Sequence, residues 1–266
     1  MAIYAIGDIH GCYDLLQRLL QKVNFNFEQD ILWFVGDLIS RGDDSLKVFE
    51  FVQSLGKKAV VVLGNHEISL ISAYYQISKA HPSIEPILNH TNSDKMIDWL
   101  KNQPLLHIEN SFALTHAGIS PHWNLEEALF YATEVENELK GENTKEFFQS
   151  IANLNVTQWS QELTKEQKYS YILSAFTRMR YLNPDGSMEN YQKGGLSENP
   201  NLIPWFKFNS IKKINKKIIF GHWASLGLYL SPDVIALDTG CVWGNKMSIV
   251  KLNNMKITQI ECKNLS

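Results

Sequence analysis

The amino-acid sequence predicts an α/β protein with helices packed against sheets, and a repeated pattern in its first third supports this fold class. Short apolar or β-branched runs at residues 2–6, 31–35 and 59–63 have the length and composition of strands. A glycine-containing motif follows each run, and a helical pattern of apolar residues follows each motif. Three successive units of strand, loop and helix favour a layered core with short connections.

The three predicted helices begin directly after these motifs. Apolar residues recur at helical spacing between residues 13 and 23. The second helix is predicted to start at Ser45, a residue type suited to an N-cap, and to end before Gly56. The third helix is predicted to start at Glu67. Each motif therefore connects the end of a strand to the start of a helix.

The second half of the chain predicts a hairpin and a helical insertion. Residues 105–108 and 112–115 have the pattern of two strands joined by a tight turn. From about residue 124 the pattern is mostly helical, and turn and loop signals follow it. We predict one domain, residues 1–266, with a helical insertion or lid at about 124–200. The strands of a second sheet are predicted at residues 218–220, 234–237 and 247–252.

Composition excludes several classes of protein. With 44% hydrophobic residues the chain can bury a large core, and its formal net charge of −3 argues against general nucleic-acid binding. No apolar run approaches membrane-spanning length, so we predict a cytoplasmic protein without a membrane segment. The three cysteines, Cys12, Cys241 and Cys262, are odd in number and widely spaced, which favours reduced thiols over a disulfide framework.

Residues that can bind metals follow the predicted strands. The carboxyl ends of strands form the ligand crevice in open α/β sheets, so these side chains are expected to converge there. The motifs in chain order are Gly7-Asp8-Ile9-His10-Gly11, Gly36-Asp37-Leu38-Ile39-Ser40-Arg41-Gly42, Gly64-Asn65-His66-Glu67, His116-Ala117-Gly118 and Gly221-His222-Trp223.

The donor types predict a site for two divalent metal ions. Carboxylate and imidazole ligands suit manganese, iron, cobalt or zinc better than calcium. We assign one ion to Asp8, His10 and Asp37, with Asp37 bridging to the second ion. The remaining predicted ligands, all of the second ion, are Asn65, His116 and His222.

The same residues predict hydrolysis of a phosphate compound. Water between two divalent ions loses a proton near neutral pH and becomes the attacking hydroxide, so no serine or cysteine nucleophile is needed. Asp37 is catalytic because it bridges the ions, and His66 is placed to protonate the leaving oxygen. Arg41 can bind phosphate through its planar guanidinium group.

This ordered set of motifs resembles the calcineurin-like metallophosphoesterases, and further segments resemble the bacterial symmetrical diadenosine tetraphosphatases. These segments are residues 42–45, 116–121, 175–180, 220–226 and 237–244, and the similarity runs nearly end to end. The resemblance implies a four-layer α/β/β/α sandwich and hydrolysis of diadenosine tetraphosphate, a small dinucleoside polyphosphate, into two ADP. It also implies manganese or cobalt as the favoured metals.

Substrate contacts are predicted for three arginines and two tryptophans. Cleavage at the centre of a four-phosphate chain needs cations for the flanking phosphates, and Arg41, Arg178 and Arg180 are the candidates. Side chains that are two positions apart on a helix do not lie on the same face. Arg178 and Arg180 can therefore both contact one substrate only if the segment that carries them is not helical. Trp223 and Trp243 are the candidates for stacking on adenine, with packing in the core as the alternative, because large aromatic residues in loops commonly pack beneath a sheet.

One residue departs from the related protein phosphatases and bears on two alternative functions. Those enzymes have aspartate where this chain has Ser40, so the usual carboxylate partner of the catalytic histidine is missing. The first alternative is a protein serine/threonine phosphatase on the same metal core, which Ser40 and the insertion disfavour. The second is a binding scaffold without catalysis, which the presence of all six ligands disfavours.

Overall fold

The computed structural model describes residues 1–209 and 214–263. The strands within these ranges are β1 (Ile3–Ile6), β2 (Ile31–Phe34), β3 (Ala59–Val61), β4 (Leu106–Glu109), β5 (Phe112–Thr115), β6 (Tyr181–Leu182), β7 (Met188–Glu189), β8 (Ile203–Pro204), β9 (Lys217–Phe220), β10 (Tyr229–Leu230), β11 (Val234–Ala236), β12 (Lys246–Lys251) and β13 (Lys256–Glu261). The α-helices are α1 (Tyr13–Lys22), α2 (Ser45–Ser54), α3 (Asn65–Tyr74), α4 (Glu85–Leu88), α5 (Ser93–Lys101), α6 (Leu125–Lys140), α7 (Thr144–Ile151) and α8 (Lys165–Thr177).

The first sheet has the strand order β13-β12-β1-β2-β3. β1, β2 and β3 are parallel, with Ile3 opposite Ile31, so their carboxyl ends lie at one edge. The three predicted strands are confirmed to within two residues at each end. Ser45 is the first residue of α2 rather than its N-cap, and its hydroxyl accepts a hydrogen bond from the Ser40 N–H. The predicted cap is wrong because that hydroxyl holds the preceding loop.

The second sheet has the order β10-β11-β9-β5-β4, with β9 parallel to both of its neighbours. The predicted hairpin is confirmed, since β4 and β5 pair antiparallel with Glu109 opposite Phe112. The placement of residues 247–252 in this sheet is wrong. β12 pairs with β1 of the first sheet, with Ile6 opposite Ile249. Sheet membership depends on this long-range pairing, which the apolar pattern of one strand does not specify.

Alternating side chains of both sheets form two buried faces. Trp33, Leu114 and Ile219 belong to a cluster that joins the first sheet to the second. Their neighbours Phe34 and Phe220 belong to the larger cluster, which also contains the apolar faces of the helices. The sheets therefore pack on each other with helices outside, and the predicted four-layer α/β/β/α sandwich describes this arrangement.

The segment predicted to be an insertion begins as helices and ends as a small sheet. α6, α7 and α8 occupy its first part, as the sequence pattern predicts, but the strands β6, β7 and β8 form an antiparallel sheet in its second part. An aromatic cluster with ring centroids 4.8–5.7 Å apart packs the helices together, and its members are Trp123, Tyr131, Trp159, Tyr171 and Phe176. The boundaries of the insertion as a unit stay a prediction.

The cysteine prediction is wrong for two of the three residues. Cys241 and Cys262 form a disulfide, which links the loop after β11 to the residue after β13. Cys12 is free and buried, as expected of a reduced thiol. The pairing was missed because the two cysteines are 21 residues apart and meet only when β13 returns alongside β12. Every helix within the described residues is too short or too polar to cross a membrane.

Candidate metal centre

The predicted ligands meet where the ends of the two sheets face each other. Asp8 and His10 follow β1, Asp37 follows β2, and Asn65 follows β3 as the first residue of α3. The second sheet brings the other two predicted donors to the same place, after β5 and β9: His116 and His222. Because these loops end parallel strands, the fold itself brings the donors together.

Asp37 lies at the centre of this cluster. Its Oδ2 is 3.5 Å from His116 Nε2, 3.7 Å from His10 Nε2 and 3.8 Å from His66 Nε2. The Asp37 carboxylate belongs to two groups of possible metal-binding atoms, one with His10 and His66 and the other with His116 and His222. Within each group, all of these atoms lie within 4.8 Å of one another. One carboxylate common to two groups is the arrangement that a pair of bridged metal ions requires.

Asp8 and Asn65 complete the cluster from its two sides. Asp8 Oδ2 is 3.9 Å from His10 Nε2, and its carboxylate accepts a hydrogen bond from the His222 N–H at 3.2 Å. Asn65 Oδ1 lies 3.2 Å from His116 Nε2. The structure thus brings all six predicted ligands together, and it adds His66 to the group of His10. Which donors bind which ion stays a prediction.

The electrostatics of the cluster fit divalent cations. Burial, together with the nearby Asp238 and Asp37 carboxylates, raises the pKa of Asp8 well above its usual value. Burial also disfavours ionised Asp37, but the imidazoles of His116 and His66 hold its pKa well below the usual range. Buried carboxylates that repel each other are stabilised by a positive ion between them, so these residues fit the two metal ions that the motifs imply.

Backbone carbonyls orient the imidazole rings. His116 Nδ1 lies 2.7 Å from the Val35 carbonyl and His10 Nδ1 lies 3.2 Å from the Ile39 carbonyl, which leaves both Nε2 atoms facing Asp37. Metal-binding histidines are commonly held in this way, with one nitrogen on a hydrogen-bond partner and the other free for the metal.

Three of the clustered residues have a left-handed backbone. φ is 48° at His10, 48° at Asp37 and 63° at His222. Residues with a side chain adopt this region at an energetic cost, and such residues concentrate at functional sites. The fold therefore accepts local strain to direct these side chains inward.

Glu67 holds two of the ligand loops together, a role that the sequence analysis missed. Its buried carboxylate accepts hydrogen bonds from the Asp37, Leu38 and Gly64 N–H groups at 2.8, 2.9 and 2.9 Å. Burial and the Asp37 charge raise the pKa of Glu67, whereas the N–H donors favour its ionised form. The capping box at the start of a helix predicts the bond to Gly64. The bonds from the Asp37 and Leu38 N–H groups join loops that follow different strands, so no local sequence pattern predicts them.

His66 packs against the cluster without help from Ser40. The His66 ring makes an edge contact with the His10 ring, with 4.9 Å between their centroids. The backbone N–H of His66 donates to Asp37 Oδ1 at 3.0 Å. The buried Ser40 hydroxyl has no hydrogen-bond partner among the described residues. Burial lowers the pKa of His66 to about 4, against the opposing charge of Asp37, so its imidazole is neutral at pH 7 in the metal-free protein.

A cavity of about 890 Å³ opens above the cluster. Arg178 and Arg180 both line it, because α8 ends at Thr177 and the chain is no longer helical where they lie. Arg180 also donates to the His222 carbonyl at 3.0 Å. The cavity residues outside the metal cluster are Arg41, Ser69, Leu154, Asn155, Ser174, Arg178, Arg180, Asn190, Lys193, Ala224, Ser225, Asp238, Trp243 and Asn245.

The two tryptophans predicted to stack on adenine differ in exposure. Trp243 is 62% exposed and lines the cavity, with the Arg41 guanidinium 5.9 Å from its ring centroid. Trp223 is only 1% exposed and packs against Tyr181 and Phe206. The stacking role predicted for Trp223 is therefore wrong, because no base can reach its ring. Its core position agrees with the alternative that the sequence left open.

Comparison with known proteins agrees with this geometry. Residues 1–226 match the family model for calcineurin-like phosphoesterases. This chain belongs to that family. Similar curated proteins include the symmetrical bis(5'-nucleosyl)-tetraphosphatase of Nitrosomonas europaea, which is 40% identical over 98% of this chain and 99% of its own length. The protein of the same name from Thioalkalivibrio sulfidiphilus is 39% identical over 96% of both chains.

Two solved structures share the fold. A protein provisionally assigned as a diadenosine tetraphosphatase superposes with a TM-score of 0.66 at 23% identity, covering 98% of this chain and 94% of the other. A protein serine/threonine phosphatase from Saccharomyces cerevisiae gives a TM-score of 0.56 at 14% identity, covering 100% of this chain and 81% of the other. At these identities the likeness supports the α/β fold alone.

Proposed function

We propose that this protein hydrolyses diadenosine tetraphosphate symmetrically into two molecules of ADP. The observation that carries the proposal is the nearly full-length match, at 40% identity, to relatives named symmetrical bis(5'-nucleosyl)-tetraphosphatase. A cavity lined by three arginines, Arg41, Arg178 and Arg180, supports it because the substrate is a chain of four phosphates.

The donor cluster would hold two divalent metal ions, with manganese or cobalt as the proposed metals and iron or zinc as alternatives. When bound, the ions supply an activated water and neutralise phosphoryl oxygens. The proposed ligands are Asp8, His10, Asp37, Asn65, His116 and His222.

The arginines bind and orient the phosphates on either side of the bond that breaks. The Arg180 guanidinium donates to the His222 carbonyl, and the Arg178 carbonyl lies 3.0 Å from His222 Nε2. Both arginines are therefore attached to the loop that carries this proposed ligand. Arg41 follows Asp37 by four residues and stands near Trp243. We propose that Trp243 stacks on one adenine, with Arg41 binding the phosphate next to it.

The leaving group determines how much acid catalysis is needed. Central cleavage releases ADP, whose terminal phosphate has a second pKa of about 6, so it leaves without a proton at neutral pH. A phosphoserine ester releases an alcohol oxygen, which requires a general acid. A neutral His66 that donates one hydrogen bond is sufficient for ADP, and Ser40 does not need to supply a charge.

The proposal is tested by initial rates with diadenosine tetraphosphate and with a phosphoserine peptide at the same manganese concentration. We expect the peptide to react at least about 100-fold more slowly, since it lacks a matching leaving group. Faster turnover of the peptide would support a protein phosphatase instead. Failure to hydrolyse either compound while binding the dinucleotide would support a binding scaffold.

We also propose that the protein acts in the cytoplasm and has no general affinity for nucleic acids. The formal net charge of −3 supports the second statement, because binding to nucleic-acid backbones needs many unpaired cations. Retention of the protein on a phosphate-rich DNA column at physiological salt would contradict it.

A further inference from the structure

Residues 190–195, here called the rim loop, form part of the cavity wall and are fixed at three consecutive carbonyl groups. Loop carbonyls on a protein surface usually bind water. Here side chains from two other segments donate to them: Ser225 to Lys193 at 2.6 Å, Trp223 to Gly194 at 2.8 Å and Tyr181 to Gly195 at 2.5 Å.

Three N–H groups of the rim loop are fixed as well. The Glu189 carboxylate accepts from the Tyr191 and Gln192 N–H groups at 2.9 and 2.6 Å. The Gln192 side chain accepts from the Gly194 N–H at 3.0 Å. With three N–H groups and three carbonyl groups paired, the loop has a defined conformation although most of its residues are exposed.

The rim loop packs directly against the segment that follows His222. A Cβ atom at Gly195 would lie 2.6 Å from the Ser225 carbonyl oxygen, so only glycine allows this approach. The buried Trp223 ring lies between the rim loop and the core. Its indole N–H therefore links the loop to the proposed metal ligand next to it in sequence.

Lys193 is the charged residue of this loop. It is exposed, lines the same cavity as Arg178 and Arg180, and forms no ion pair with any residue that the structure describes. An unpaired ammonium group in a phosphate-binding cavity is attracted to a polyphosphate as a compact point charge. A fixed loop reduces the entropy lost when that contact forms.

We propose that Lys193 binds a phosphate of the polyphosphate chain distant from the metal cluster, and that Trp223 positions it through the rim loop. The proposal rests on the proposed function and adds a specificity-determining residue and a positioning residue to it. Longer polyphosphate chains gain from this contact, whereas a substrate with a single phosphate held at the metals does not.

The first test compares Lys193→Met with the unmodified protein in steady-state hydrolysis of diadenosine tetraphosphate. We expect KM to rise about 10-fold or more with kcat within twofold, because a charge-assisted contact is lost away from the reacting phosphate. Manganese affinity, measured by calorimetric titration, should not change. Lys256→Met is the matched control, since Lys256 is exposed and does not line this cavity.

The second test is a double-mutant cycle. Trp223→Phe removes the indole N–H and keeps a buried ring, and we expect it to raise KM several-fold in the unmodified protein. In the Lys193→Met background it should add nothing, because it acts through Lys193. Ser225→Ala removes another bond to the rim loop and should behave in the same way, which keeps the test available where Trp223→Phe does not fold.

The outcomes separate the two proposals. Hydrolysis by the unmodified protein with an unchanged KM in Lys193→Met overturns the roles of both Lys193 and Trp223, and it leaves the proposed function standing. Equal and additive losses from Trp223→Phe in both backgrounds, or weaker manganese binding in that variant, overturn the positioning role. No hydrolysis of diadenosine tetraphosphate by the unmodified protein overturns the proposed function and this inference with it.

Discussion

At the residue scale, the candidate site depends on how firmly Asp37 is held. Its carboxylate is shared by two groups of donors, while its N–H is bound by the Glu67 carboxylate, which also binds Gly64. Glu67 thereby fixes the loop after β2 relative to the loop after β3. We infer that it sets the distance between Asp37 and Asn65 without contacting substrate.

The Glu67→Gln variant tests this role. An amide has one acceptor oxygen instead of two, and its NH₂ group faces backbone donors, so at least one buried N–H loses its partner. We expect about 1–3 kcal/mol lower stability and manganese affinity reduced about 10-fold or more. Chemical denaturation and calorimetric titration measure the two effects. Glu126→Gln, on an exposed position of α6, is the control, and unchanged values in Glu67→Gln would contradict the assignment.

The role of His66 predicts a dependence on the leaving group. We expect His66→Ala to slow diadenosine tetraphosphate hydrolysis less than about 10-fold, since ADP departs without a proton at neutral pH. Phenyl phosphate releases a phenol with a pKa of about 10, and its hydrolysis should slow about 100-fold or more. Ratios of kcat in the two reactions provide the measurement, with His90→Ala as a surface control. Equal losses for both substrates would show that His66 does not act at the leaving oxygen.

Sequence and structure agree best on residues that directly follow strands. Asp8, Asp37 and Asn65 could be placed at one edge because the strand, loop and helix order is local and repeated. The role of Glu67 and the hydrogen-bond partner of Trp223 could not be assigned, because the groups they contact lie in distant segments. The roles of these side chains depend on tertiary contacts that spacing in the sequence does not encode.

At the scale of secondary-structure elements, the same distinction holds. The strands β1, β2 and β3 were predicted with their motifs, whereas the pairing of β12 with β1 was not, although β12 itself was expected. β6, β7 and β8 contain two residues each, too short to show alternation. The pairing of β12 with β13 also brings the ends of these elements together, which explains the disulfide between Cys241 and Cys262.

The disulfide predicts a definite thiol count. Protein denatured without reductant should contain one thiol, that of Cys12, and three after reduction. Burial raises the pKa of Cys12 to about 11, so in the native protein at pH 8 this thiol is protonated and should react slowly with alkylating reagents. Titration with a thiol reagent under the three conditions gives the count. Three thiols in the denatured, unreduced protein would exclude the disulfide.

At the scale of the whole molecule, loops of the two sheets and the segment predicted to be an insertion line one cavity. The loop after β2 of the first sheet supplies Asp37, the loop after β9 of the second sheet supplies His222, and the segment after α8 supplies Arg178. The proposed substrate, bound there, would contact loops from all three parts of the fold. The parallel arrangement of β5 and β9 within the second sheet was not predicted, and it is what brings His116 and His222 to the same edge.

The central claim is symmetrical cleavage of diadenosine tetraphosphate, and product analysis tests it most directly. The protein is incubated with this substrate and manganese, and the nucleotides are separated by chromatography at low conversion. Because the proposed contacts place an inner phosphate at the metal cluster with cations for its neighbours, ADP should be the single product. Formation of AMP and ATP in equal amounts would contradict the account, since it places the attack on an outer phosphate.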